Sequence, residues 1–478
     1  MGYSEKVVVI GGGISGLACA YRLKQMGIAC LVLEASERAG GVIATSRRDG
    51  LLFETGPQCP RFSASVWGIV RELGLESEFL AGDPKAKRYI LRDGRLCLAP
   101  VTPGGLIRTK LLGFSSKLRI MGEVFGHSHP PENEETLAEF VERKFGVEVL
   151  ENLVDPIVST VFLGDCYKMG MDSAFPALVE WERRHGSLMR GAIRTWRSKA
   201  HQSNSNGSSS GVGGNGRRDS LRLTDALPAL GSFRKGMAVL PERVAQELHI
   251  RYGADVGCVE AAPGEEGAAK AVWRVRLRDG ENIVTRNLVL ATPAYAAAEV
   301  LGGSVPQLAS ELESIEYAPM SAVSFVYEQA QVANSLNGFG FMAPRREGLN
   351  TICTFWNSSL FRGRAPEGRV LLTSFVRGAT EEPKDEVESM DAVEYENART
   401  LGIAGKPVDR AVWQSPRALP QYNVHHARRV AEIESILRTV PNLSLAGNYL
   451  RGRAIGDCVD VAFRVAEEVS NRLRSEQR

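Results

Sequence analysis

The first forty residues carry a hydrophobic pattern that predicts a strand, a helix and a second strand. Residues 7–10 (VVVI) form a continuous apolar run, which is typical of a strand buried on both faces. From Ile14 onward the apolar positions recur at helical spacing, and residues 30–33 (CLVL) form a second apolar run that ends at Glu34. Because the two runs flank one helix, we predict a βαβ unit with parallel strands.

The turn between the first strand and the helix contains Gly11, Gly13 and Gly16, which have the spacing G-x-G-x-x-G. In a βαβ unit these glycines permit a tight turn, a close approach of the backbone to a pyrophosphate, and close packing of the helix on the sheet. The pyrophosphate then lies at the helix N-terminus, where unpaired N–H groups favour an anion. Glu34 follows by about 20 residues, as expected of a carboxylate that binds a ribose. The alternative is a glycine-rich turn without a ligand.

Hydrophobic periodicity predicts an alternation of strands and helices along the rest of the chain. A strand at 87–91 leads into the hairpin residues Asp93 and Gly94. Residues 106–195 are mostly helical in pattern, and 201–216 (HQSNSNGSSSGVGGNG) have the composition of a flexible loop. Further strands are predicted at 272–277, 283–291, 320–328, 352–356, 369–376 and 443–446, and a final helix from about Cys458.

The composition is that of an ordinary globular protein with two or three packed units. The chain has 478 residues, of which 44% are hydrophobic and 24% are charged. A net charge of +2 gives no reason to expect a nucleic acid partner. The eight cysteines lack metal-ligand spacing, so we predict neither disulfides nor a metal site. We expect a cytoplasmic protein, peripheral at most to one membrane face, because no targeting or bilayer-spanning pattern is visible.

A second strand, glycine loop and helix are predicted near the other end of the chain. The segment 443–459 (LSLAGNYLRGRAIGDCV) holds Gly447, Asn448 and Gly456 between an apolar run and a helical pattern. A dinucleotide has two ends, so two glycine loops that are distant in sequence can hold one extended cofactor. An ordinary strand, turn and helix without a ligand is the alternative for this segment taken alone.

Several segments place the chain near a known family. After Glu34 the chain continues Arg38-Ala39-Gly40-Gly41, which resembles flavoproteins such as the amine oxidases and phytoene desaturases. Segments 231–244 (GSFRKGMAVLPERV), 338–379 and 413–426 (WQSPRALPQYNVHH), together with the second glycine loop, resemble the protoporphyrinogen oxidase family. Weaker similarity covers nearly the whole chain. The resemblance implies one non-covalently bound FAD per chain.

The same resemblance implies a protein of the α/β and α+β classes with three parts. They are a Rossmann-like FAD-binding domain, a substrate-binding domain built on a mixed sheet, and a helical membrane-binding domain. The predicted bounds are 1–85, 220–300 and 405–478 for the FAD-binding domain, 86–105 and 301–404 for the substrate-binding domain, 106–198 for the helical domain and 199–219 for a flexible loop.

The resemblance also implies which residues bind the cofactor and the substrate. The predicted FAD-binding residues are Gly11, Gly13, Ile14, Ser15, Gly16, Glu34, Ala35, Arg38, Gly40, Gly41, Val42, Gly56, Pro57, Val256, Trp413, Gly447, Asn448, Ala454, Ile455 and Gly456. Arg88 is expected to bind a substrate propionate, and Thr160 stands where the family commonly has glycine. Met342, Phe355 and Phe375 are expected to line an apolar pocket. The alternatives are a solvated charge for Arg88 and plain core packing for the apolar residues.

The activity implied by the resemblance is the six-electron oxidation of protoporphyrinogen IX in haem and chlorophyll synthesis. Hydride equivalents would pass to the flavin, and molecular oxygen would reoxidise it. We predict no side chain as a catalytic acid or base, and we expect His425 and His426 to start a helix at the surface. The expected partners are the porphyrinogen, oxygen, a membrane surface and a second copy of the chain.

Three other functions stay open. Coproporphyrinogen III oxidation by a sister enzyme is the nearest, since the motifs separate the two poorly. Many amine oxidases use a lysine on the strand corresponding to 320–327, where this chain has Phe325 and no lysine from 271 to 383. A binding protein similar to the GDP-dissociation inhibitors would lack part of the flavin site, whereas Glu34, Arg38 and both glycine loops are present here.

An apolar stripe in the helical segment suggests a membrane contact. Its residues recur at helical spacing with arginines and lysines between them: Ile107, Leu111, Phe114, Leu118, Met121 and Phe125. Such a stripe can lie in a membrane surface, and it can equally face a protein core.

Overall fold

The computed structural model describes residues 3–126, 131, 133–188, 190–191, 230–262, 272–377 and 386–475. The predicted flexible loop at 199–219 lies outside the described residues. The strands are β1 (Tyr3–Ile10), β2 (Leu31–Leu33), β3 (Thr45–Arg48), β4 (Leu51–Glu54), β5 (Phe79–Ala81), β6 (Arg88–Arg92), β7 (Arg95–Leu98), β8 (Gly231–Phe233), β9 (His249–Arg251), β10 (Val256–Ala262), β11 (Val272–Leu277), β12 (Asn282–Leu290), β13 (Tyr317–Glu328), β14 (Gly340–Met342), β15 (Thr351–Phe355), β16 (Arg369–Val376), β17 (Asp409–Pro420) and β18 (Leu443–Leu445).

The helices alternate with these strands and dominate the stretch between β7 and β8. They are α1 (Ile14–Gln25), α2 (Ala64–Glu72), α3 (Pro103–Arg108), α4 (Phe114–Gly122), α5 (Leu137–Phe145), α6 (Val147–Val149), α7 (Asp155–Phe162), α8 (Met171–Ala174), α9 (Pro176–His185), α10 (Val239–Gln246), α11 (Ala294–Leu301), α12 (Pro306–Glu313), α13 (Asn357–Leu360), α14 (Glu386–Leu401), α15 (His426–Thr439) and α16 (Ile455–Ser475). One π-helical turn, Leu150–Val154, precedes α7.

The first sheet brings both ends of the chain together around β1. Its strand order is β10-β11-β12-β1-β2-β9, and β18 pairs with β12. β1 runs parallel to β12 and to β2, and β18 runs parallel to β12. Val7 and Val9 pack into a core with α1 and α16, while Val8 and Ile10 pack into a second core with α11 and α12. Both faces of β1 are buried, which explains its unbroken apolar run.

The second sheet is mixed and has the strand order β17-β13-β16-β15-β14-β6-β7. β14 and β6 are parallel, and the other neighbours are antiparallel. On one face, Val323 and Phe325 of β13 pack against Val393 of α14. The opposite face carries a different apolar cluster, centred on Ala322 and Phe375.

Strand β17 corrects one predicted domain boundary. Because β17 pairs with β13, its residues belong to the second sheet, although the prediction placed everything from 405 onward in the FAD-binding domain. Sequence reasoning also missed β9 and began the last helix at Cys458, whereas α16 begins at Ile455; the helix expected to start at His425 and His426 is α15. The other domain bounds stay predictions.

Helices α3 to α9 form a layer with its own core, which includes Phe140, Leu150 and Val158. α5 begins with a capping box in which Thr136 and Glu139 satisfy each other's backbone N–H groups. Among the described residues, every helix is too short or too polar to cross a bilayer.

Most of the predicted apolar stripe lies on the surface of this helical layer. Leu111 is fully buried, which fits the core-facing alternative for this one residue. The other stripe residues are more than half exposed: Ile107, Phe114, Leu118, Met121 and Phe125. Arg108, Lys110 and Arg119 are exposed beside them. These five residues therefore do not face the core that the described residues form.

Glu54, at the end of β4, is a buried carboxylate that joins distant segments of the chain. Its Oε1 lies 3.3 Å from Nη2 of Arg364, and both side chains are 1% exposed. Glu54 also accepts hydrogen bonds from Thr45 Oγ1 at 2.7 Å and from Met237 N at 3.0 Å. The contact thus holds the β3–β4 hairpin, the segment after β8 and the segment before β16 in one place.

Arg364 connects the two segments that resemble the family most specifically. It belongs to SSLFRGRAP, and it donates to Ser232 Oγ at 2.5 Å and to the Phe233 carbonyl oxygen at 3.2 Å, both in GSFRKG. Gly236 of the second segment has a φ of +91°, and a Cβ there would lie 2.4 Å from the Thr45 side chain. The SSLFRGRAP and GSFRKG segments therefore pack against each other, in addition to any contact that they make with a ligand.

Burial opposes the charged state of both partners in this ion pair. It raises the pKa of Glu54, which Arg364 opposes, and it lowers the pKa of Arg364, which Glu54 opposes. For both groups burial outweighs the partner, so the mutual attraction offsets only part of the lost hydration. In such pairs the loss of one partner costs more than the loss of both.

We expect Arg364→Met to destabilise the protein by about 3–5 kcal/mol, because it leaves the Glu54 carboxylate buried without a cation. The double variant Arg364→Met with Glu54→Gln should recover part of this loss. The exposed pair Arg451–Glu434 provides the control, since Arg451→Met should cost about 1 kcal/mol or less. Urea unfolding followed by circular dichroism measures all three. A double variant less stable than Arg364→Met would contradict the assignment.

Candidate active site

The first glycine motif forms the turn from β1 into α1, and its glycines differ in what surrounds them. Gly11 has a φ of +107°, and a Cβ on Gly16 would lie 1.9 Å from the Gly11 carbonyl oxygen. Gly13 is the N-cap residue of α1, and no side chain caps the helix there. The position that a Cβ on Gly13 would occupy is open space. The first N–H groups of α1, which include those of Ile14 and Ser15, are thus free of a side-chain cap. This is the arrangement that a pyrophosphate requires.

Glu34 at the end of β2 faces the same turn. Its Oε2 accepts a hydrogen bond from Gly12 N at 2.6 Å, and its Oε1 accepts one from Ser36 N at 2.9 Å. The Glu34 backbone pairs with Arg251 and Ala254, which places the predicted adenine contact Val256 just beyond it. Val256 begins β10 and is buried. A ribose hydroxyl could replace the Gly12 contact without moving the strand.

The segment after Glu34 runs back over the glycine motif. Gly40 N donates to the Gly12 carbonyl oxygen at 2.8 Å, and Gly40 has a φ of +107°. Arg38 is exposed and donates to the Gly41 carbonyl oxygen at 2.7 Å, while Ala35 beside it is also exposed.

Val42 and Gly56 approach each other beside this segment. Val42 is 63% exposed, and its carbonyl oxygen lies 2.1 Å from the position of a Cβ on Gly56, so only glycine fits there. Pro57 follows in the same turn, and Gln58 next to it accepts a hydrogen bond from Asn357 Nδ2 at 2.7 Å. The turn thus contacts the second sheet through α13.

The second glycine loop lies beside the first. β18 leads into Gly447 and Asn448, and Asn448 O accepts a hydrogen bond from Tyr422 Oη at 2.6 Å. Ala454 N is capped by Asp457 at the start of α16, where Ile455 and Gly456 are buried. In the first turns of α16 and α1, the Cys458 thiol and the Ser15 hydroxyl are close enough for Ser15 to lower the pKa of the thiol, which burial raises to about 12. The N-termini of the two helices therefore converge.

These positions define one track across the carboxyl ends of the parallel strands. The order β2, β1, β12 and β18 puts Glu34 on one side of the glycine motif and the second loop on the other. Ligands of open α/β sheets bind at this edge. The uncapped α1, the open space at Gly13 and the ribose carboxylate fit FAD, whose bound form would supply the hydride acceptor. The predicted cofactor residues of both glycine loops lie along this track.

The predicted apolar substrate residues lie together on one face of the second sheet. Met342 is paired with Cys353, Cys353 with Phe375, and Phe375 with Ala322 across four adjacent strands. The rings of Phe355 and Phe375 are in contact, with centroids 5.3 Å apart. This group, with Met320, Leu163 and Ile352, is called the aromatic face below.

Arg88 lies at the margin of the aromatic face. It is paired with Gly340, which is itself paired with Phe355, and its guanidinium lies 5.0 Å from the ring centroid of Phe339. In the described part of the chain no carboxylate forms an ion pair with Arg88. Arg88 is also close enough to Cys59 to lower the pKa of that thiol, which burial raises to about 12. These features fit a residue that binds a carboxylate of a ligand.

Thr160 reaches the aromatic face from the helical layer. It belongs to α7, and its side chain interacts with the Cys353 thiol, whose pKa burial raises to about 12. Leu163, just after α7, has a φ of +48° and packs on the same face. Sequence reasoning did not single out Leu163, Met320, Ile352 or Cys353, because an isolated apolar residue gives no signal of which face of a sheet it occupies.

Three further residues from the sequence analysis have clear surroundings in the structure. Trp413 packs on Phe53, at a centroid distance of 5.4 Å, on the strand that leads into the turn at Gly56 and Pro57. Phe325 faces α14 on the opposite side of the sheet from the aromatic face, and β13 contains no lysine. His425 is an exposed N-cap, but His426 is 2% exposed, and its expected surface position is wrong.

The comparison with protein families decides the cofactor class. A family model described as flavin-containing amine oxidoreductase matches residues 14–470. The chain belongs to this family. It is therefore an FAD-dependent oxidoreductase, as the two glycine loops predicted.

Individual relatives cover almost the whole chain. The chloroplastic protoporphyrinogen oxidase of Oryza sativa subsp. japonica is 32% identical over 494 residues, which span 98% of this chain and 89% of the relative. Coproporphyrinogen III oxidase of Bacillus subtilis (strain 168) is 25% identical over 475 residues, or 95% of this chain and 96% of the relative. A crystal structure from Exiguobacterium sp. 255-15 has a TM-score of 0.77 at 24% identity, covering 98% and 99%. The predicted mixed α/β fold is confirmed.

We expect Gly13→Val and Gly16→Ala to separate cofactor binding from folding. The Gly13 side chain would enter open space, so the unfolding of the apoprotein should change little, while FAD should bind about tenfold more weakly or worse. Gly16→Ala should destabilise the apoprotein itself, because its Cβ would meet the Gly11 carbonyl oxygen. Thermal unfolding without FAD and fluorescence titration with FAD measure the two effects. Equal effects of both variants on folding would contradict this account.

His426 should make stability fall in acid. It stacks on Tyr422 at 4.3 Å, and burial, followed by Arg429, lowers its pKa from 6.5 to about 4. Its stabilising contribution is complete above pH 6.5 and is lost as the pH falls toward 4, since only the unfolded chain takes up the proton there. His426→Phe should flatten this part of the stability profile in urea titrations from pH 7 to 4. An unchanged slope would argue against a neutral His426.

Proposed function

We propose that this chain oxidises protoporphyrinogen IX to protoporphyrin IX with oxygen as the final acceptor. The observation that carries the proposal is the aromatic face beside the cofactor track, with Arg88 at its margin and no counter-ion for it in the described residues. A flat macrocycle with apolar substituents and a few carboxylates needs such a surface. The named relatives support the same class of substrate.

In this proposal the protein binds the substrate, orients it and excludes water from it. Bound FAD supplies the site that accepts each hydride equivalent. Phe355, Phe375 and Met342 exclude water from the macrocycle, and Arg88 fixes one propionate and thereby the rotation of the ring in its plane. Thr160 and Leu163 close the face from the helical layer. We assign no side chain as a general acid or base, so pyrrole protons leave to solvent.

Coproporphyrinogen III oxidation is the second candidate, supported by the Bacillus subtilis relative. That substrate carries propionates in place of the two vinyl groups of protoporphyrinogen. The aromatic face offers apolar side chains and places its cation at one margin, so we favour the substrate with fewer carboxylates.

The deciding experiment supplies purified holoprotein with each porphyrinogen separately and follows porphyrin fluorescence. We expect a kcat/KM for protoporphyrinogen IX at least about tenfold above that for coproporphyrinogen III, because burial of an extra unpaired carboxylate costs more than about 1.4 kcal/mol. Arg88→Met should raise KM for both. Arg95→Met, an exposed arginine in the same hairpin, is the matched control and should behave as wild type. Failure to oxidise either substrate would overturn the proposal.

We also propose that the exposed stripe of α3 and α4 rests on an anionic membrane surface from the cytoplasmic side. Phe114 and Phe125 are 77% and 83% exposed, a position in which isolated large aromatic side chains are unfavourable in water. Arg108, Lys110 and Arg119 flank them and would meet anionic head groups. With the stripe on the membrane, an apolar substrate would pass from the lipid to the active site over a short distance. We also propose that the protein forms a homodimer, and we assign no interface to it.

We expect the double variant Phe114→Ser with Phe125→Ser to reduce binding to phosphatidylserine-containing vesicles by about tenfold or more, since it removes two rings from the lipid contact. Tyr395→Ser, at a 67% exposed aromatic residue on α14, is the control and should bind as wild type. Vesicle cosedimentation measures the three proteins. Absence of wild-type binding, or equal binding by the double variant, would contradict a membrane contact.

A further inference from the structure

Arg453 is a cation within the second glycine loop that has no carboxylate partner in the described part of the chain. Its guanidinium lies 4.2 Å from the ring centroid of Phe162 and 4.3 Å from that of Tyr422. Its Nη1 donates to the Pro420 carbonyl oxygen at 3.5 Å. An arginine carries five N–H donors, so most of those of Arg453 have no partner within the described protein.

The neighbouring arginine of the loop behaves differently. Arg451 is exposed and forms an ion pair with Glu434 at 2.7 Å. Arg453, two residues later, contacts the rings of Phe162 and Tyr422. Burial lowers the pKa of its guanidinium to about 10. Asp457, the nearest carboxylate in sequence, is used instead to cap Ala454 N. Arg453 is half-buried and has no carboxylate partner in the described residues, so a bound anion would complete its pairing.

The strand order indicates which end of the cofactor Arg453 meets. Glu34, the ribose carboxylate, ends β2 on one side of the glycine motif, and the second loop follows β18 on the other. The helices α1 and α16 pack in one core between them, with Ser15 and Cys458 in their first turns. A dinucleotide with its ribose at Glu34 therefore extends its flavin toward the second loop. Arg453 stands at this end, next to the start of α16.

The aromatic stack fixes where the Arg453 charge acts. Tyr422 is anchored by its hydrogen bond to Asn448 O and stacks on His426, while Phe162 comes from α7. The two rings contact the guanidinium without accepting conventional hydrogen bonds from it, so its N–H donors are left for a ligand. The N-terminus of α16 adds positive potential in the same place.

We propose that Arg453 stabilises the negative charge that reduction adds to the flavin and thereby raises the reduction potential of the cofactor. When a substrate C–H bond breaks, its electron pair and its hydrogen nucleus pass together to the flavin, which thus gains two electrons and one proton. The flavin becomes more negative by one charge, and the oxidised substrate loses its N–H proton to solvent. This inference depends on FAD binding and is independent of which substrate is oxidised.

The test measures the two-electron midpoint potential of the bound flavin by equilibration with reference dyes in wild type, Arg453→Met, Arg453→Lys and Arg451→Met. We expect Arg453→Met to reduce the equilibrium constant for reduction by about tenfold or more, which corresponds to a decrease of about 30 mV. Arg453→Lys, which keeps the charge, should stay within about threefold of wild type. Arg451→Met removes the same formal charge from an exposed, paired position and should also stay within about threefold.

Flavin absorbance before each titration establishes that the variants hold FAD. If Arg453→Met does not retain FAD, Arg453→Gln, which keeps a planar polar group between the rings, takes its place with the same expected decrease. A neutral variant whose potential equals that of Arg451→Met would overturn the proposal, as would an equal decrease in Arg453→Lys. Either result would assign Arg453 to packing between the loop and α7.

Discussion

The buried ion pair between Glu54 and Arg364 is the contact on which the relation between the two sheets depends. Glu54 ends a hairpin that follows the first part of the cofactor site, and Arg364 precedes β16 of the second sheet. Their shared hydrogen bonds extend to Ser232, Phe233 and Met237. Because such a pair tolerates little displacement without exposing an unpaired charge to an apolar interior, it fixes where the aromatic face lies relative to the cofactor.

A second constraint is the direction of the parallel strands. All the parallel strands of the first sheet present their carboxyl ends to one edge, so segments as distant in sequence as Gly13 and Gly447 meet there. The cofactor track crosses this edge, and the helical layer reaches the aromatic face through α7. The candidate active site thus lies where the first sheet, the second sheet and the helical layer meet. The first sheet binds the anionic cofactor, the second sheet supplies the apolar wall, and α7 of the helical layer covers that wall.

Much of this could be predicted from the sequence where local rules apply. The glycine spacing and Glu34 identified the first loop because backbone clearance depends on a few adjacent residues. The edge strand β17 was missed, since Pro416 and Pro420 interrupt its pattern and only an edge strand tolerates them. The surroundings of Arg453 depend on Phe162 and Tyr422, which are distant from it along the chain, so no local pattern reports them. His426 stacks on the nearby Tyr422, but its burial also depends on how the whole helix packs, which the local sequence does not show.

The most direct test of the central claim is a single turnover without oxygen. Holoprotein is mixed anaerobically with one equivalent of protoporphyrinogen IX while the flavin absorbance near its visible maximum is recorded. We predict that the flavin bleaches within the time of one catalytic cycle, stays bleached, and recovers only when oxygen is admitted. A flavin that remains oxidised while the porphyrinogen persists would show that the aromatic face does not deliver this substrate to the cofactor, and would contradict the account.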